Sequence, residues 1–304
     1  MAKILVVGSI NMDLVVRVQH APAPGETVLG GDFSTFPGGK GANQAVAASR
    51  MGGEVTMVGR VGNDDFGNDL IQGLVENKIK TTHVIKDSGA PSGIAMIAVA
   101  DSGENMIVVA SGANMQVSVD DVHRARSLMQ ETDLLLVQLE CPLEAVSAAI
   151  DLAYANHVPV VLNPAPAQPL SQALLAHVEV LTPNENEVLQ LTGEDNLERG
   201  IQKLREWGVK NVVVTLGDKG ARVVNEVTDR YIPAYEVTAV DTTAAGDAFN
   251  GALAVALAEG KSLIESVRYG TAAGALAATK MGAQPSLPMR QAVEDLIAKD
   301  APNR

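Results

Sequence analysis

The sequence predicts an α/β protein built on a mostly parallel sheet, with a small second β-sheet inserted into it. Short runs rich in Val, Ile and Leu recur at residues 4–7, 55–58, 134–139, 158–162, 178–181 and 212–216, and helical patterns separate them. Apolar runs of this kind belong to strands covered on both faces, and such sheets carry ligands on the loops after their strands. Two stretches break the alternation. Residues 14–18 and 27–29 flank Pro22 and Pro24-Gly25, and residues 94–100 and 105–109 flank Asp101-Ser102-Gly103-Glu104, which has hairpin-turn chemistry. These read as strands of a separate small sheet within about 14–36 and 93–110. It would act as a lid, or present an edge to a second subunit. In chain order the helices fall at about 40–51, which is alanine-rich, 65–77, 142–156, 185–192, 196–207, 247–259, 262–280 and 289–298. No flexible linker, low-complexity tract or repeat of 20–50 residues divides residues 1–304, so one domain is expected.

At 304 residues and 46% hydrophobic content the chain can bury a large core. No apolar run approaches the roughly 18 residues that span a bilayer, and Met-Ala-Lys-Ile-Leu-Val-Val-Gly starts as a strand rather than a signal peptide. A cytoplasmic location is expected. The single cysteine, Cys141, excludes an internal disulfide and a cysteine-cluster metal site, and its place after a buried strand suits core packing. A net charge of −13 opposes binding to nucleic acid or anionic membranes, which leaves a small molecule as the expected partner.

Residues 241–253, Asp-Thr-Thr-Ala-Ala-Gly-Asp-Ala-Phe-Asn-Gly-Ala-Leu, place a glycine-bearing turn and a carboxylate where a helix begins. Phe249, Leu253, Ala256 and Leu257 follow at helical spacing, so free N–H groups of the first turn fall around Ala244 to Asp247. With the helix dipole behind them they suit a phosphoryl group, and Ala244, Ala245 and Gly246 let it come close. Asp247 beside an anion site makes sense as the general base that takes a proton from an attacking hydroxyl. It would equally make a helix cap.

Strand 4–7 runs into Gly8-Ser9-Ile10-Asn11-Met12-Asp13, not G-x-G-x-x-G, which removes the main support for a dehydrogenase. Asn11 and Asp13 lie two apart and would face one side of an extended segment, an amide and a carboxylate matched to vicinal sugar hydroxyls. A plain turn after the strand is the other use of such a pair. Residues 37–48, Pro-Gly-Gly-Lys-Gly-Ala-Asn-Gln-Ala-Val-Ala-Ala, are a glycine-rich loop that is not a Walker A motif. Three glycines around Lys40 would let the backbone pass close to a ligand while Lys40 and Asn43 offer donors.

Thr182-Pro183-Asn184-Glu185-Asn186-Glu187 follows a strand and opens a helix, so Asn184 and Glu187 could hold the waters of a magnesium ion and a phosphate oxygen. Asn184 also suits a helix cap. Thr215-Leu216-Gly217-Asp218-Lys219-Gly220 is a strand-to-turn segment able to pass a nucleotide. After the helix at 262–280, the turn that ends in Gly282-Ala283-Gln284-Pro285-Ser286 should expose carbonyls that, with Asp241, suit a hard cation.

Together these segments resemble the phosphofructokinase B type (ribokinase-like) family of carbohydrate kinases over nearly the whole chain. Gly38-Gly39-Lys40-Gly41-Ala42-Asn43-Gln44-Ala45 matches its N-terminal signature and Asp241 through Ala252 its C-terminal one. Leu139-Glu140, Asn163-Pro164-Ala165-Pro166-Ala167 and residues 282–286 point to the pentose-phosphorylating branch. The resemblance implies an αβα sandwich and ATP-dependent phosphorylation of D-ribose at O5. Another furanose, deoxyribose or a nucleoside is the alternative acceptor, and a non-catalytic sugar-binding regulator the alternative class. It implies sugar contacts from Asn11, Met12, Asp13, Gly39, Lys40, Gly41, Ala42, Asn43 and Glu140, with Asp247 as the base. On the ATP side it implies Asn184, Thr215, Leu216, Gly217, Asp218, Lys219, Gly220, Gly246, Asp247 and Thr271, with Glu187 indirectly near Mg2+. A monovalent cation, K+ before Na+, would sit among Asp241, Thr243, Ala277, Lys280, Gly282 and Ser286. Thr243 stands where an aliphatic residue is more usual and Lys280 where arginine is, but both would contribute main-chain oxygen. A homodimer through the lid strands is also implied.

Overall fold

Strand β1, Lys3–Val7, sends Ile4 and Val6 into one hydrophobic cluster and Leu5 and Val7 into another, because successive side chains of a strand point to opposite faces. That division holds across the computed structural model, which describes residues 1–102 and 105–300. The further strands are β2 (Asn11–Val18), β3 (Phe33–Gly38), β4 (Glu54–Gly62), β5 (Lys80–Asp87), β6 (Gly93–Ala100), β7 (Asn105–Ala110), β8 (Leu134–Val137), β9 (Val160–Leu162), β10 (Val180–Leu181), β11 (Asn211–Thr215), β12 (Ala221–Val224) and β13 (Asp229–Ile232). The helices are α1 (Lys40–Arg50), α2 (Asp65–Glu76), α3 (Val119–Arg124), α4 (Leu143–Ala155), α5 (Gln172–Leu175), α6 (Glu185–Thr192), α7 (Leu197–Glu206), α8 (Ala245–Ala258), α9 (Leu263–Ala277), α10 (Ala283–Ser286) and α11 (Arg290–Asp300).

The first cluster lies under α1, α2, α8, α9 and α11, and the second under α3 to α7. A nine-stranded sheet in the order β13-β12-β11-β10-β9-β8-β1-β4-β5 lies between them, parallel from β5 to β11 and antiparallel at β12 and β13. This is the expected αβα sandwich. The chain fills β4 and β5 on one side of β1 and then crosses to β8 on the other. Such a reversal opens a crevice at the carboxyl ends of the strands, where α/β proteins bind ligands.

The second sheet has the order β3-β2-β6-β7. Its β2 leaves β1 across three residues, so Asn11 and Asp13 begin a strand rather than a turn. The strand expected at 27–29 is absent; that stretch is loop, with Leu29 91% exposed. The partner of β2 is instead β3, in register from Asn11 opposite Gly38 to Val16 opposite Phe33. Pro37 made that segment look unlike a strand, but β3 is an edge, where a missing N–H is tolerated. Strands β6 and β7 pair antiparallel as expected, although Gly103 and Glu104 of their turn lie outside the described residues. No helix among the described residues is long and apolar enough to cross a membrane.

Candidate active site

Helix α8 begins at the centre of the crevice. Its N-cap, Ala244, is left-handed at φ 59°, and no side chain caps the helix. Among the described residues the N–H groups of Gly246 and Asp247 have no protein acceptor, and a Cβ built on Gly246 would meet nothing within 4 Å. These are open donors at the positive end of a helix. The cap alternative for Asp247 does not hold. Its Oδ1 accepts from Gln44 Nε2 at 2.9 Å and its Oδ2 from Asn43 Nδ2 at 2.9 Å, both across to α1. Helices α1 and α8 come this close because Gly251 faces Ala47 and Ala48, where a Cβ would collide at 2.5 Å.

Burial raises the Asp247 carboxyl above the ordinary carboxylate range, and Glu140 adds to that, while Lys40 and the two amides pull the other way. Asp13 is raised to about 7 by burial first and then by Glu140 and Asp247. Lys40 feels the reverse balance: burial lowers its pKa, but Asp247, Glu140 and Glu187 outweigh it and the net direction is up. Lys40 is thus held in its charged form among Asp247, Glu140 and Glu187. Glu140 accepts from Ser9 Oγ at 2.5 Å and from the Lys40 N–H at 3.1 Å. Asn114 bonds Asn11 Oδ1 at 2.6 Å and the Ile10 N–H at 2.8 Å, which fixes the start of β2.

The glycines of the 38–41 loop are required by the protein's own packing. A Cβ on Gly38 would strike the Asp13 carboxylate at 2.3 Å, one on Gly39 the Asn11 N at 2.7 Å, and one on Gly41 the Ser9 N at 2.5 Å. They let α1 press on the β1–β2 junction. The first α1 donors are also taken within the protein, Gly41 N by Ser9 Oγ and Ala42 N by Ser9 O. Asn43 Oδ1 is different: it is buried beside Asp247 with no partner.

A buried polar chain runs behind Asp247. Gln138 Nε2 donates to Gln44 Oε1 at 2.6 Å, and Gln44 Nε2 donates to Asn163 Oδ1 at 3.0 Å as well as to Asp247. Asn163 Nδ2 continues to Thr182 O, Thr182 Oγ1 to Asn250 Oδ1, and Asn250 Nδ2 to Gly246 O. The ends of β8, β9 and β10 are thereby tied to the base and to the open turn of α8.

On the far side of that turn lies a cavity of about 600 Å³. Of the residues expected on the ATP side, Asn184, Thr215, Leu216, Gly217, Asp218, Gly220, Gly246 and Thr271 line it, whereas Lys219 and Asp247 do not. Thr271 spends its hydroxyl on Val267 O at 2.6 Å. Asn184 and Glu187 form a reciprocal capping box on α6, so the cap alternative is realised there; Glu187 uses Oε2 for it, and burial raises its pKa against the opposing pull of the Asn184 bond and Lys40.

Asp241 joins two loops, accepting from Thr243 N at 2.9 Å through Oδ1 and from Gly282 N at 2.8 Å through Oδ2. Burial opposes its ionisation, but these bonds outweigh it and its pKa is lowered. Val240 N and Asp241 N also donate to Ala278 O, which holds the 240–243 loop against the turn after α9, where Ala277 O accepts the Lys280 N–H and Ser286 Oγ donates to Ala283 O.

The pfkB family carbohydrate kinase profile matches residues 1–290. The chain belongs to the pfkB family of carbohydrate kinases. It is 44% identical to the ribokinase of Haemophilus influenzae over 291 residues, covering 94% of this chain and 95% of that one. In structure it is similar to the ribokinase of Thermotoga maritima, with a TM-score of 0.90, 41% identity, and 98% and 100% of the two chains covered. The Arabidopsis thaliana ribokinase complexed with ribose and ATP superposes with a TM-score of 0.88 at 32% identity, covering 98% and 99%. In this pfkB kinase the structure brings Asn11, Asp13, Lys40, Asn43, Glu140 and Asp247 together. Gln44, Gln138, Asn114, Asn163 and Asn250 were not foreseen as site residues; the available signal was a polar residue closing an apolar strand, as at Gln138 and Asn163. Tyr235 and Phe249 in the cavity wall were also missed.

Proposed function

We propose that this carbohydrate kinase transfers the γ-phosphoryl group of ATP to O5 of D-ribose. The observation that carries the reading is the buried Asp247 carboxylate, held on both oxygens by α1 and adjoined by the unpartnered Asn43 Oδ1, at the turn whose N–H groups open on the cavity. A sugar hydroxyl placed there gives its proton to Asp247, and a neighbouring hydroxyl of the same sugar donates to Asn43 Oδ1. The resulting oxygen attacks the γ-phosphorus, ADP leaves, and the N–H groups of Gly246 and Asp247 stabilise the charge on the transferring group. Asn11, Asp13, Lys40 and Glu140 orient the remaining hydroxyls, with Met12 and the 39–42 backbone around them. Coupled ADP release across pentoses, hexoses and nucleosides tests the acceptor; fastest turnover with a nucleoside or with 2-deoxyribose would overturn ribose.

Mg2+ suits the nucleotide side because Glu187 keeps one carboxylate oxygen outside its capping box, and magnesium bound mainly by water and phosphate needs few protein carboxylates. When bound it neutralises phosphate charge. The Asp241 loops suit a monovalent cation: one carboxylate with lone pairs beyond its two N–H partners, plus the main chain of Thr243, Ala277, Lys280 and Gly282 and the Ser286 hydroxyl. Among the described residues no group of three or more His, Cys, Asp or Glu forms a cage for a more highly charged ion. K+ should raise activity above Na+ at equal ionic strength, and Asp241→Ala should abolish the difference.

The chain is read as one kinase domain with the second sheet as a lid over the sugar. Its edge strand β7 exposes Met106, Ile107, Val108 and Val109, and Met96 and Phe33 extend that apolar surface. Such an edge calls for a cover, and a second copy of the lid provides one. Sedimentation at micromolar concentration should give a dimer, and Ile107→Asp a monomer.

A further inference from the structure

We infer that Gln44 is a positioning residue that sets the orientation and the proton affinity of Asp247. The inference rests on Asp247 being the base, and it assigns to Gln44 a part that no sugar or nucleotide contact requires.

The amide of Gln44 has one possible orientation. Asp247 Oδ1 can only accept in its ionised form, and Asn163 Oδ1 must accept because its own Nδ2 is committed to Thr182 O. Gln44 Nε2 therefore donates both hydrogens, one to each, and its Oε1 is left to accept from Gln138 at 2.6 Å. All of this is dry: Gln44 and Gln138 are 0% exposed. Gln138 Oε1 has no partner of its own, but both Nε2 hydrogens and the Oε1 of Gln44 are bonded, and a buried amide bonded in this way holds a single geometry. The strands that carry Gln138 and Asn163 thus dictate where one oxygen of the Asp247 carboxylate lies.

The charged neighbours of Asp247 are Lys40 from α1, Glu140 after β8 and Asp13 from β2, and Glu187 is felt through Lys40. Lys40 and the amides Gln44 and Asn43 favour the carboxylate, while burial and Glu140 favour the acid. Removing the Gln44 donor leaves the acid favoured. The base must be ionised to work, so the acid limb of the kcat profile moves to higher pH. That limb reports the enzyme–substrate complex, whereas ionisation of Asp13 in the free enzyme appears in kcat/KM.

The test is the kcat–pH profile of Gln44→Met, which fills the same space without a donor, and of Gln44→Glu, which keeps the shape but adds a like charge. The expected result for Gln44→Met is an acid limb raised by about one pH unit, a kcat about tenfold lower on the acid side of that limb that recovers at higher pH, and a ribose KM within about threefold of the parent. Gln44→Glu should move the limb at least as far, and it carries the test alone if Gln44→Met does not fold. A loss of kcat equal at every pH, or an unmoved limb, would overturn the positioning role. Asp247→Asn measured alongside separates the two readings: if it keeps most activity the base assignment fails, and if it is inactive while the Gln44 limbs do not move only this inference fails.

Discussion

The two halves of the proposed site differ in their physics. On the proposed sugar side, Asn11, Asp13, Asn43 and Asp247 are buried, Lys40 and Glu140 are half-buried, and neighbours such as Asn114, Ser9 and Gln44 fix them. On the proposed nucleotide side, the cavity of about 600 Å³ is lined by glycines, alanines and the apolar faces of Leu216, Tyr235 and Phe249, with Asn184, Glu185, Asn186, Asp218 and Glu236 among them. A buried polar group left without its partner costs about 1–3 kcal/mol, more when charged, whereas an apolar wall loses only contact area. The first half should therefore be intolerant of small changes and the second forgiving.

The comparison is sharpest at Asp247, which stands between the halves. Asp247→Asn preserves shape and removes the base, so kcat should fall roughly 10²–10⁴-fold while calorimetric ribose affinity changes little. An asparagine variant with near-parent turnover would leave the carboxylate a structural link between α1 and α8.

Next in size is the effect of one hydroxyl. 2-Deoxyribose leaves a buried group on the sugar side unpaired, and its kcat/KM should lie at least about tenfold below that of ribose. Asn43→Ala should narrow the gap by weakening ribose more than deoxyribose. Equal kcat/KM values for the two sugars in the parent would assign the site to deoxyribose.

Acidity probes the same side more gently. Asp13 sits near pKa 7, raised by burial and then by Glu140 and Asp247. Its carboxylate is the form that accepts two sugar hydroxyls, so kcat/KM for ribose should decline as the pH falls through about 7. Asp13→Asn should flatten that decline, seen in profiles measured at constant ionic strength.

The smallest effect is expected across the turn. Thr271 gives its hydroxyl to Val267 O and offers the cavity little more than a methyl group. Thr271→Val should keep the KM for ATP within about twofold, and a tenfold rise would show that the cavity also reads hydrogen bonds.

The same contrast decides what could be read from the sequence. Buried parallel strands are continuous apolar runs, so the sheet, its flanking helices and the crevice were legible. Strands at or next to the sheet edges are not: β5, Lys-Thr-Thr-His-Val-Ile-Lys-Asp, is mostly polar, β3 contains Pro37, and β12 and β13 are only four residues each. The 27–29 stretch had strand composition but stops at Gly30-Gly31, of which Gly31 N reaches Arg17 O by a single bond. In the site, Asn11, Asp13, Lys40 and Asp247 stood out because a charge or amide at a strand or helix end has few other uses. The amides that steer Asp247 did not. Gln138 and Asn163 lie 94 and 119 residues from Gln44, and a hydrogen bond between neutral amides leaves no local pattern. For the glycines of 38–41 the sequence shows that space is needed, but not that Asp13 and the chain's own backbone take it up.

The central claim is that the base on one side of the turn and the phosphate donors on the other act on a single hydroxyl. The most direct test is the phosphorus–proton coupling in the NMR spectrum of the product formed from ribose and ATP. The account predicts one sugar phosphate per ADP, with its phosphorus coupled to the two protons on C5. Phosphorus on any other carbon, or ADP released with free phosphate and unmodified ribose, would contradict it.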